Sequence, residues 1–129
     1  MVNLNCIMPC FIISDLKISV SFYVDKLGFK TQYIGPDDDP YWAIVGSDDI
    51  SIFMKAVAPD VKAIPNRTRH EWAPSDVYIS VAEPDLLFEE YRSNGVAFNK
   101  PIHDNTDNLR GFEIEDTDGY ILFFGRPNS

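Results

Sequence analysis

The side chains able to do chemistry in this 129-residue sequence are few and widely spaced. Asp76 and Glu113 lie on predicted strands and could form a carboxylate pair for proton transfer, a role that requires pKa values raised by burial. The two histidines, His70 and His103, fall in a connector and in a loop, and neither position suggests a metal ligand. The sequence has no GxSxG nucleophile motif and no glycine-rich phosphate loop. Carboxylates on a strand face are more often solvated or salt-bridged than catalytic, so these residues favour binding over catalysis.

The cysteines, Cys6 and Cys10, indicate a reducing compartment rather than a disulfide. On one strand they would lie about 13 Å apart, whereas the Cα atoms of a disulfide usually lie within about 7 Å of each other. No histidine or further thiol lies nearby to complete a zinc site. The first residues also lack the features of a signal peptide, and no segment has the length of a membrane span. We therefore expect a cytoplasmic protein that is not embedded in a membrane.

Charge restricts the class of partner. Twenty acidic residues against eleven basic ones give a net charge of −9, which repels phosphate backbones and disfavours nucleic-acid binding. A solvated acidic surface is the simplest explanation of this charge. Attraction of a cationic ligand is the sharper explanation, and it requires carboxylates that line a pocket.

Periodicity predicts the order β-α-β-β-β in the first part of the chain. Residues 7–13 form an apolar run with β character, and Ser14 is the predicted N-cap of the following helix. The helix shows one apolar stripe and ends at Gly28; the stripe consists of Leu16, Val20, Tyr23 and Leu27. A strand at residues 29–35 and a hairpin at residues 41–57 complete this module.

The same order returns in the second part of the chain. A strand at residues 76–81 precedes a helix that begins at Pro84 and ends at Gly95. An irregular edge strand at residues 96–102 and a closing hairpin at residues 109–125 follow. The predicted organisation is one domain with module one at 5–57, a connector at 58–75 and module two at 76–126.

Alternation within the strands assigns their faces. Val77, Ile79 and Val81 form an aliphatic face that must pack on helices, and Asp76 and Tyr78 lie on the opposite face. The predicted architecture is α+β, with two β-α-β-β-β modules forming a curved mixed sheet that carries its helices on the convex face. The concave face is aromatic with few polar groups, as is typical of a small-ligand pocket.

The order of elements, together with the stretches SDLKISVSFYVDKLGF and EIEDTDGYILFF, resembles the vicinal oxygen chelate superfamily, which includes glyoxalase I, extradiol dioxygenases and bleomycin-resistance proteins. The resemblance implies the glyoxalase/bleomycin-resistance fold and is strongest to the bleomycin-resistance proteins. Catalytic members hold a divalent ion at concave positions of strands one, four, five and eight. The matching positions here are Met8, Phe53, Asp76 and Phe123, of which only Asp76 offers an oxygen or imidazole ligand. No metal or other cofactor is therefore expected.

The resemblance implies a metal-free protein that sequesters a cationic or aromatic small molecule in a groove at a dimer interface, as in antibiotic resistance. The candidate ligand-binding residues are Trp42, Phe53, Trp72, Asp76, Tyr78, Glu113 and Phe123. Pro9 suits a first strand that is exchanged within a homodimer, or simply an edge strand. The alternative is a glyoxalase-like lyase or isomerase, or another enzyme of the superfamily, with an atypical site. The connector also carries the basic residues Lys62, Arg67 and Arg69, so an anionic ligand is a further alternative.

Overall fold

The predicted order of elements is confirmed. The structure is a computed structural model that describes residues 3–128. The chain divides into two compact units, with the boundary between Ala63 and Ile64, so residues 64–75 of the predicted connector belong to the second unit. The helices and strands are β1 (Cys10–Ile12), α1 (Leu16–Ser21), β2 (Lys30–Gly35), β3 (Trp42–Ser47), β4 (Ile50–Lys55), β5 (Val77–Ser80), α2 (Pro84–Ser93), β6 (Lys100–Asp104), β7 (Leu109–Glu115) and β8 (Ile121–Pro127).

Each unit contains one four-stranded mixed sheet. The strand order is β1-β4-β3-β2 in the first unit and β5-β8-β7-β6 in the second. In each sheet the first strand pairs in parallel with the last, and the other pairs are antiparallel. The predicted α+β class and the mixed strand pairing are thus confirmed, and the strands are divided between two sheets.

The first helix begins one residue later than predicted. Asp15, and not Ser14, is its N-cap, because the Asp15 Oδ1 accepts a hydrogen bond of 3.0 Å from the Ile18 backbone N–H. The helix continues into a π-helical turn over Phe22–Lys26, where Tyr23 is buried. Gly28 has a φ of +72°, which favours glycine and ends the helix as expected. The predicted N-cap at Ser14 was therefore wrong, and the predicted helix end was correct.

Strand β1 is shorter than the apolar run that predicted it. Regular pairing with β4 covers Cys10–Ile12 instead of residues 7–13. Pro9 contributes its carbonyl, which accepts a hydrogen bond of 3.0 Å from the Phe53 N–H, but it has no N–H of its own to extend the ladder.

The second helix packs on its sheet through aromatic rings. Phe88 and Tyr91 are buried, and their ring centroids lie 5.6 Å and 5.9 Å from that of Phe112. Tyr91 also contacts Phe124 edge-on at 5.5 Å. Edge-to-face contacts of this kind add to the hydrophobic gain from burying the rings. These contacts cover one face of β7 and β8, and α2 does not cover the opposite face, where a ligand could bind.

The edge strand of the second sheet lies further along the chain than predicted. It covers Lys100–Asp104, whereas residues 96–102 were expected. Val96 and Phe98 do not pair in the ladder; Val96 is buried, and the Phe98 ring lies 4.5 Å from that of Phe88. The prediction that His103 lies in a loop was therefore wrong, because it lies in β6 opposite Gly111.

The last strand is the best-buried element of the second unit. Ile121 to Gly125 are all buried, and β8 is an interior strand that lies between β5 and β7. Its Phe124 stacks on Phe112 at 5.2 Å on the helix side. Phe123 points to the other face, opposite Tyr78 of β5. Among residues 3–128, no helix has the length and apolar character needed to span a membrane.

Candidate functional site

The strand registers of the second sheet align four side chains in a row across it. Tyr78 of β5 lies opposite Phe123 of β8, Phe123 opposite Glu113 of β7, and Glu113 opposite Lys100 of β6. Residues directly opposite each other on neighbouring strands project from the same face of a sheet. The row lies on the face opposite to α2, because Phe124 and Phe112 take the helix side.

A cavity of about 560 Å³ in the second unit is lined by all four residues of this row. Two further parts of the unit complete its walls: the segment before β5, and β6 with the loop to β7. The remaining lining residues are Glu71, Trp72, Ala73, Pro74, Ser75, His103, Asn105, Thr106, Asp107 and Leu109.

Two stacked rings form the aromatic wall of the cavity. The Tyr78 and Phe123 centroids lie 5.5 Å apart with an angle of 17° between the ring planes. Phe123 is only 3% exposed, whereas Tyr78 is 45% exposed. Tyr78 therefore presents an open ring to the cavity, and Phe123 supports it from below.

Two glycines make room for the Phe123 ring. Gly111 and Gly125 lie opposite each other in β7 and β8. A Cβ atom on Gly111 would lie 2.7 Å from Phe123 Cζ, and one on Gly125 would lie 2.6 Å from Phe123 Cε1. Both distances are shorter than carbon atoms tolerate, so the ring rests directly on the backbone of the sheet.

Glu113 is the buried charge of the site. Glu113 is only 5% exposed, and its Oε1 accepts a hydrogen bond of 2.9 Å from Asn99 Nδ2. The Asn99 backbone N–H also donates to the Glu113 carbonyl at 2.8 Å. Asn99 is thereby held beside the carboxylate by both its backbone and its side chain.

The remaining polar groups of the cavity are more exposed. Glu71 and Asp107 add two carboxylates, and Lys100 adds one ammonium, so acidic groups outnumber basic ones. The His103 Nδ1 lies 2.8 Å from the Pro101 carbonyl oxygen, within hydrogen-bond distance. Sequence analysis missed His103 because it ended this edge strand at residue 102, whereas β6 continues to Asp104. The signal that could have found it was the alternation of side chains that puts Pro101 and His103 on the same face of the strand.

The connector places Trp72, one of the candidate ligand-binding residues, at the cavity. Trp72 is 84% exposed and lines the cavity. Its backbone N–H donates to His70 Nδ1 at 3.1 Å, and the two rings meet edge-on at 5.5 Å. These contacts orient the segment while the indole stays accessible to a ligand.

Asp76 does not line the cavity. Its Oδ1 accepts a hydrogen bond from the Asn66 N–H and its Oδ2 accepts one from the Ile121 N–H, both at 2.8 Å. It therefore ties the connector to the start of β8. Arg67 reinforces this attachment, because its Nε donates to the Gly119 carbonyl at 3.2 Å.

The other two predicted ligand-binding residues, Trp42 and Phe53, belong to the first unit. Their rings stack on each other at 5.6 Å with an angle of 6° between planes, and both are half-buried. The Trp42 indole lies against Gly35, where a Cβ atom would meet the ring at 2.9 Å. Of the predicted residues, the cavity brings together Trp72, Tyr78, Glu113 and Phe123.

The described residues offer no ready metal centre. Within residues 3–128, no group of three or more His, Cys, Asp or Glu side chains is arranged to hold an ion. At the positions that the resemblance assigns to metal ligands, Phe53 and Phe123 have no donor atoms. Both oxygens of Asp76 accept backbone hydrogen bonds.

Comparison with solved structures identifies the fold. TioX from Micromonospora sp. ML1 superposes with a TM-score of 0.71 at 17% identity, over 92% of this chain and 95% of that one. The bleomycin-binding protein of bleomycin-producing Streptomyces verticillus, solved with copper(II)-bleomycin, gives 0.67 at 24% identity, over 96% and 97%. TnmS3, an antibiotic-binding protein from Streptomyces sp. CB03234, gives 0.65 at 20% identity, over 95% and 96%.

Sequence comparison gives the family. Among curated proteins, none matches the chain. Residues 4–124, nearly the whole chain, match the family described as the Glyoxalase/Bleomycin resistance protein/Dioxygenase superfamily. The resemblance inferred from the sequence is thereby confirmed, and the chain belongs to the glyoxalase/bleomycin resistance protein/dioxygenase superfamily.

Proposed function

We propose that the protein binds a flat aromatic or cationic small molecule in the cavity of the second unit and acts by sequestering it, without a metal or another cofactor. One observation carries this proposal. The open Tyr78 ring, backed by Phe123, stands in the same row as the buried carboxylate of Glu113, and all three line the cavity.

The dimensions and chemistry of the cavity support binding. A volume of about 560 Å³ lies within the range of about 300 to 1,000 Å³ that is usual for small-molecule sites. A cation over an aromatic face gains about 0.5 to 2 kcal/mol, depending on its desolvation. Stacking on Tyr78, a charge near Glu113 and contact with the Trp72 indole add to the apolar area that the ligand buries, and we expect an affinity of about 1 μM, which corresponds to about 8 kcal/mol.

Two of the related structures are of antibiotic-binding proteins, which makes an antibiotic the first ligand to test. One is a bleomycin-binding protein in complex with copper(II)-bleomycin, and another is an antibiotic-binding protein. Their low identity to this chain carries the fold alone, so the ligand class rests on the cavity itself.

The placement of Asp76 favours binding over the lyase or isomerase alternative. Proton transfer by a carboxylate pair would need Asp76 and Glu113 to share a site. Both Asp76 oxygens instead accept backbone N–H groups, and Glu113 has Asn99 as its partner.

We also propose that the protein is a homodimer in which subunits share the ligand groove and exchange the first strand. Leu4 and Ile7, in the segment before β1, are 89% and 94% exposed. Apolar side chains so exposed on one segment favour a partner surface. Size-exclusion chromatography with light scattering tests this proposal, and a monomer at micromolar concentration would remove the intersubunit groove.

Calorimetric titration with bleomycin and with the planar cation 9-aminoacridine tests the binding function. Tyr78→Ala is expected to weaken binding about tenfold or more, because it removes the open ring of the cavity. Tyr33→Ala is the matched control, since Tyr33 is an exposed tyrosine at the edge of the first sheet. Absence of binding by both probes, or equal loss in the two variants, would contradict the proposal.

A protection assay tests sequestration separately. The protein in molar excess is expected to prevent bleomycin and iron from nicking supercoiled plasmid DNA, and Tyr78→Ala is expected to protect less. Binding without protection would indicate that the ligand remains accessible and would rule out sequestration.

A further inference from the structure

We infer that the cavity selects planar aromatic ligands that carry a protonated N–H group beside the ring, and that Glu113 determines this selectivity. The inference rests on the proposed function and deepens it. A ligand with a primary, secondary or tertiary ammonium group belongs to this class, and a quaternary ammonium or a carboxylate does not.

Glu113 has one carboxylate oxygen that the protein leaves available. Within residues 3–128, Asn99 is the one side chain that hydrogen-bonds the carboxylate, through Oε1, and no ion pair reaches it. No fully buried side-chain oxygen of the described residues lacks a hydrogen-bond partner. Since Glu113 lines the cavity, its Oε2 is accessible from there.

A carboxylate this deeply buried is stabilised by a positively charged donor. Removal of an ionised group from water is costly unless a hydrogen bond or a counter-charge compensates for it. An N–H⁺ donor supplies both in one charge-assisted bond of about 2.7 to 2.9 Å. A quaternary ammonium has no N–H, so it supplies charge at a longer distance and leaves Oε2 without a donor.

The row of side chains fixes where the ring of such a ligand must lie. Glu113 and Phe123 are directly opposite each other, a relation that places their Cβ atoms about 5 Å apart. The Tyr78 ring covers Phe123. A ligand stacked against these rings therefore reaches Oε2 with an amine that is one or two carbon atoms away from its own ring.

Lys100 does not already neutralise Glu113. It lies opposite Glu113 in the register of β6 and β7, but its side chain forms no ion pair with the carboxylate within the described part of the chain. Lys100 is exposed, so its ammonium is hydrated. The carboxylate thus remains the charge that a ligand meets at the floor of the cavity.

The test compares four probes that share one naphthalene ring. They are 1-naphthylmethylamine, its N,N-dimethyl derivative, the N,N,N-trimethyl quaternary salt and 1-naphthylacetate. The tertiary amine has nearly the bulk of the quaternary salt and keeps one N–H, so it separates hydrogen bonding from size. Dissociation constants are measured by calorimetry on the full-length protein at neutral pH.

The expected result is that both N–H amines bind at least about tenfold more tightly than the quaternary salt and the acetate. Glu113→Gln is expected to remove most of this difference. Glu115→Gln is the matched control, because Glu115 lies in the same strand, does not line the cavity and pairs with Arg67 at 3.2 Å. It is expected to leave all four constants unchanged, and circular dichroism verifies the fold of both variants.

Three outcomes overturn the inference. Equal binding of the tertiary and quaternary probes would show that no ligand N–H donates a hydrogen bond to Oε2, while the proposed binding function would stand. A selectivity that persists in a folded Glu113→Gln variant would assign it to another group. Failure of all four probes, and of bleomycin and 9-aminoacridine, would overturn the proposed function together with the inference.

Discussion

The two units place different side chains on the same arrangement of strands. In the first sheet, the row across the strands reads Cys10, Phe53, Ile44 and Tyr33. In the second sheet, the corresponding row reads Tyr78, Phe123, Glu113 and Lys100. Phenylalanine occupies the matching place in both rows, and each of its neighbours differs.

The difference shows that the residues next to the phenylalanine determine whether this part of the sheet forms an apolar surface or a cavity with a charged group. Phe53 stacks on Trp42 from the adjacent strand and has an aliphatic neighbour, Ile44. Phe123 supports the open ring of Tyr78 and has a buried acid, Glu113, as its neighbour. One backbone therefore carries an apolar surface in one unit and a charged aromatic cavity in the other.

The supporting layers also differ. Behind the second row, α2 is ten residues long and contributes Phe88 and Tyr91 to an aromatic cluster with Phe112. Behind the first row, α1 has six residues and continues as a π-helical turn. A well-packed layer restricts how far the cavity wall can shift.

The largest expected difference between the units concerns the two phenylalanines. Phe123→Ala is expected to lower the free energy of unfolding by about 3 to 5 kcal/mol, because the ring is buried and its removal leaves a cavity that neighbouring side chains cannot fill. Phe53→Ala is expected to cost about half as much, since Phe53 is half-buried. Urea denaturation followed by circular dichroism measures both, and an equal cost would show that the rows are equivalent in packing.

A smaller effect is expected for the cation at the end of the second row. Lys100→Met removes a positive charge at the cavity that repels a cationic ligand, so 1-naphthylmethylamine is expected to bind about two to five times more tightly. The affinity of the acetate probe is expected to fall. Weaker binding of the amine in this variant would indicate that Lys100 contacts the ligand directly.

The smallest effect, a slight change in melting temperature, is expected when the ion pair between Asp85 of α2 and Arg110 of β7 is removed. Hydrogen bonds from the Arg110 guanidinium lower the pKa of the Asp85 carboxyl below its usual value of 3.8. A carboxyl whose pKa is lowered by folding stabilises the protein above its unfolded pKa, and this contribution is lost as the pH falls through the folded value. Asp85→Asn is therefore expected to lower the melting temperature slightly at pH 7 and not at pH 2.

Thermal unfolding of both proteins across that pH range measures the difference. The effect is small because the Asp85 side chain is 53% exposed, and solvent screens such pairs. Asp60→Asn, at an exposed position of the first unit, serves as the control. A deficit that is unchanged at pH 2 would assign the role of Asp85 to something other than its charge.

The elements of this protein could be predicted where local patterns were unambiguous. The stripe through Tyr23 and Leu27, the positive-φ glycines and the closing hairpins all depend on neighbours in sequence. The errors occurred where local patterns compete. Ser14 and Asp15 are both good caps, and the residues before β6 pack as apolar anchors without joining the ladder.

The candidate site was predicted in part for the same reason. Alternation put Tyr78 on the face away from the helix, and Tyr78 lines the cavity together with Glu113 and Phe123. It put Asp76 on that face as well, but the two backbone N–H groups that bind Asp76 come from Asn66 and Ile121. The connector that supplies Asn66 has no periodicity from which its path could be read.

The sequence by itself determined the repeated order of elements and the faces of the strands, because these follow from the spacing of side chains along the chain. It also indicated the family, through the resemblance of its stretches to those of known members. Tertiary structure alone decided the registers that set Tyr78, Phe123, Glu113 and Lys100 in one row. It also decided that Asn99 occupies one oxygen of Glu113 and leaves the other to the cavity. The physical reason is that strand pairing and burial depend on residues distant in sequence, whose mutual approach no local pattern encodes.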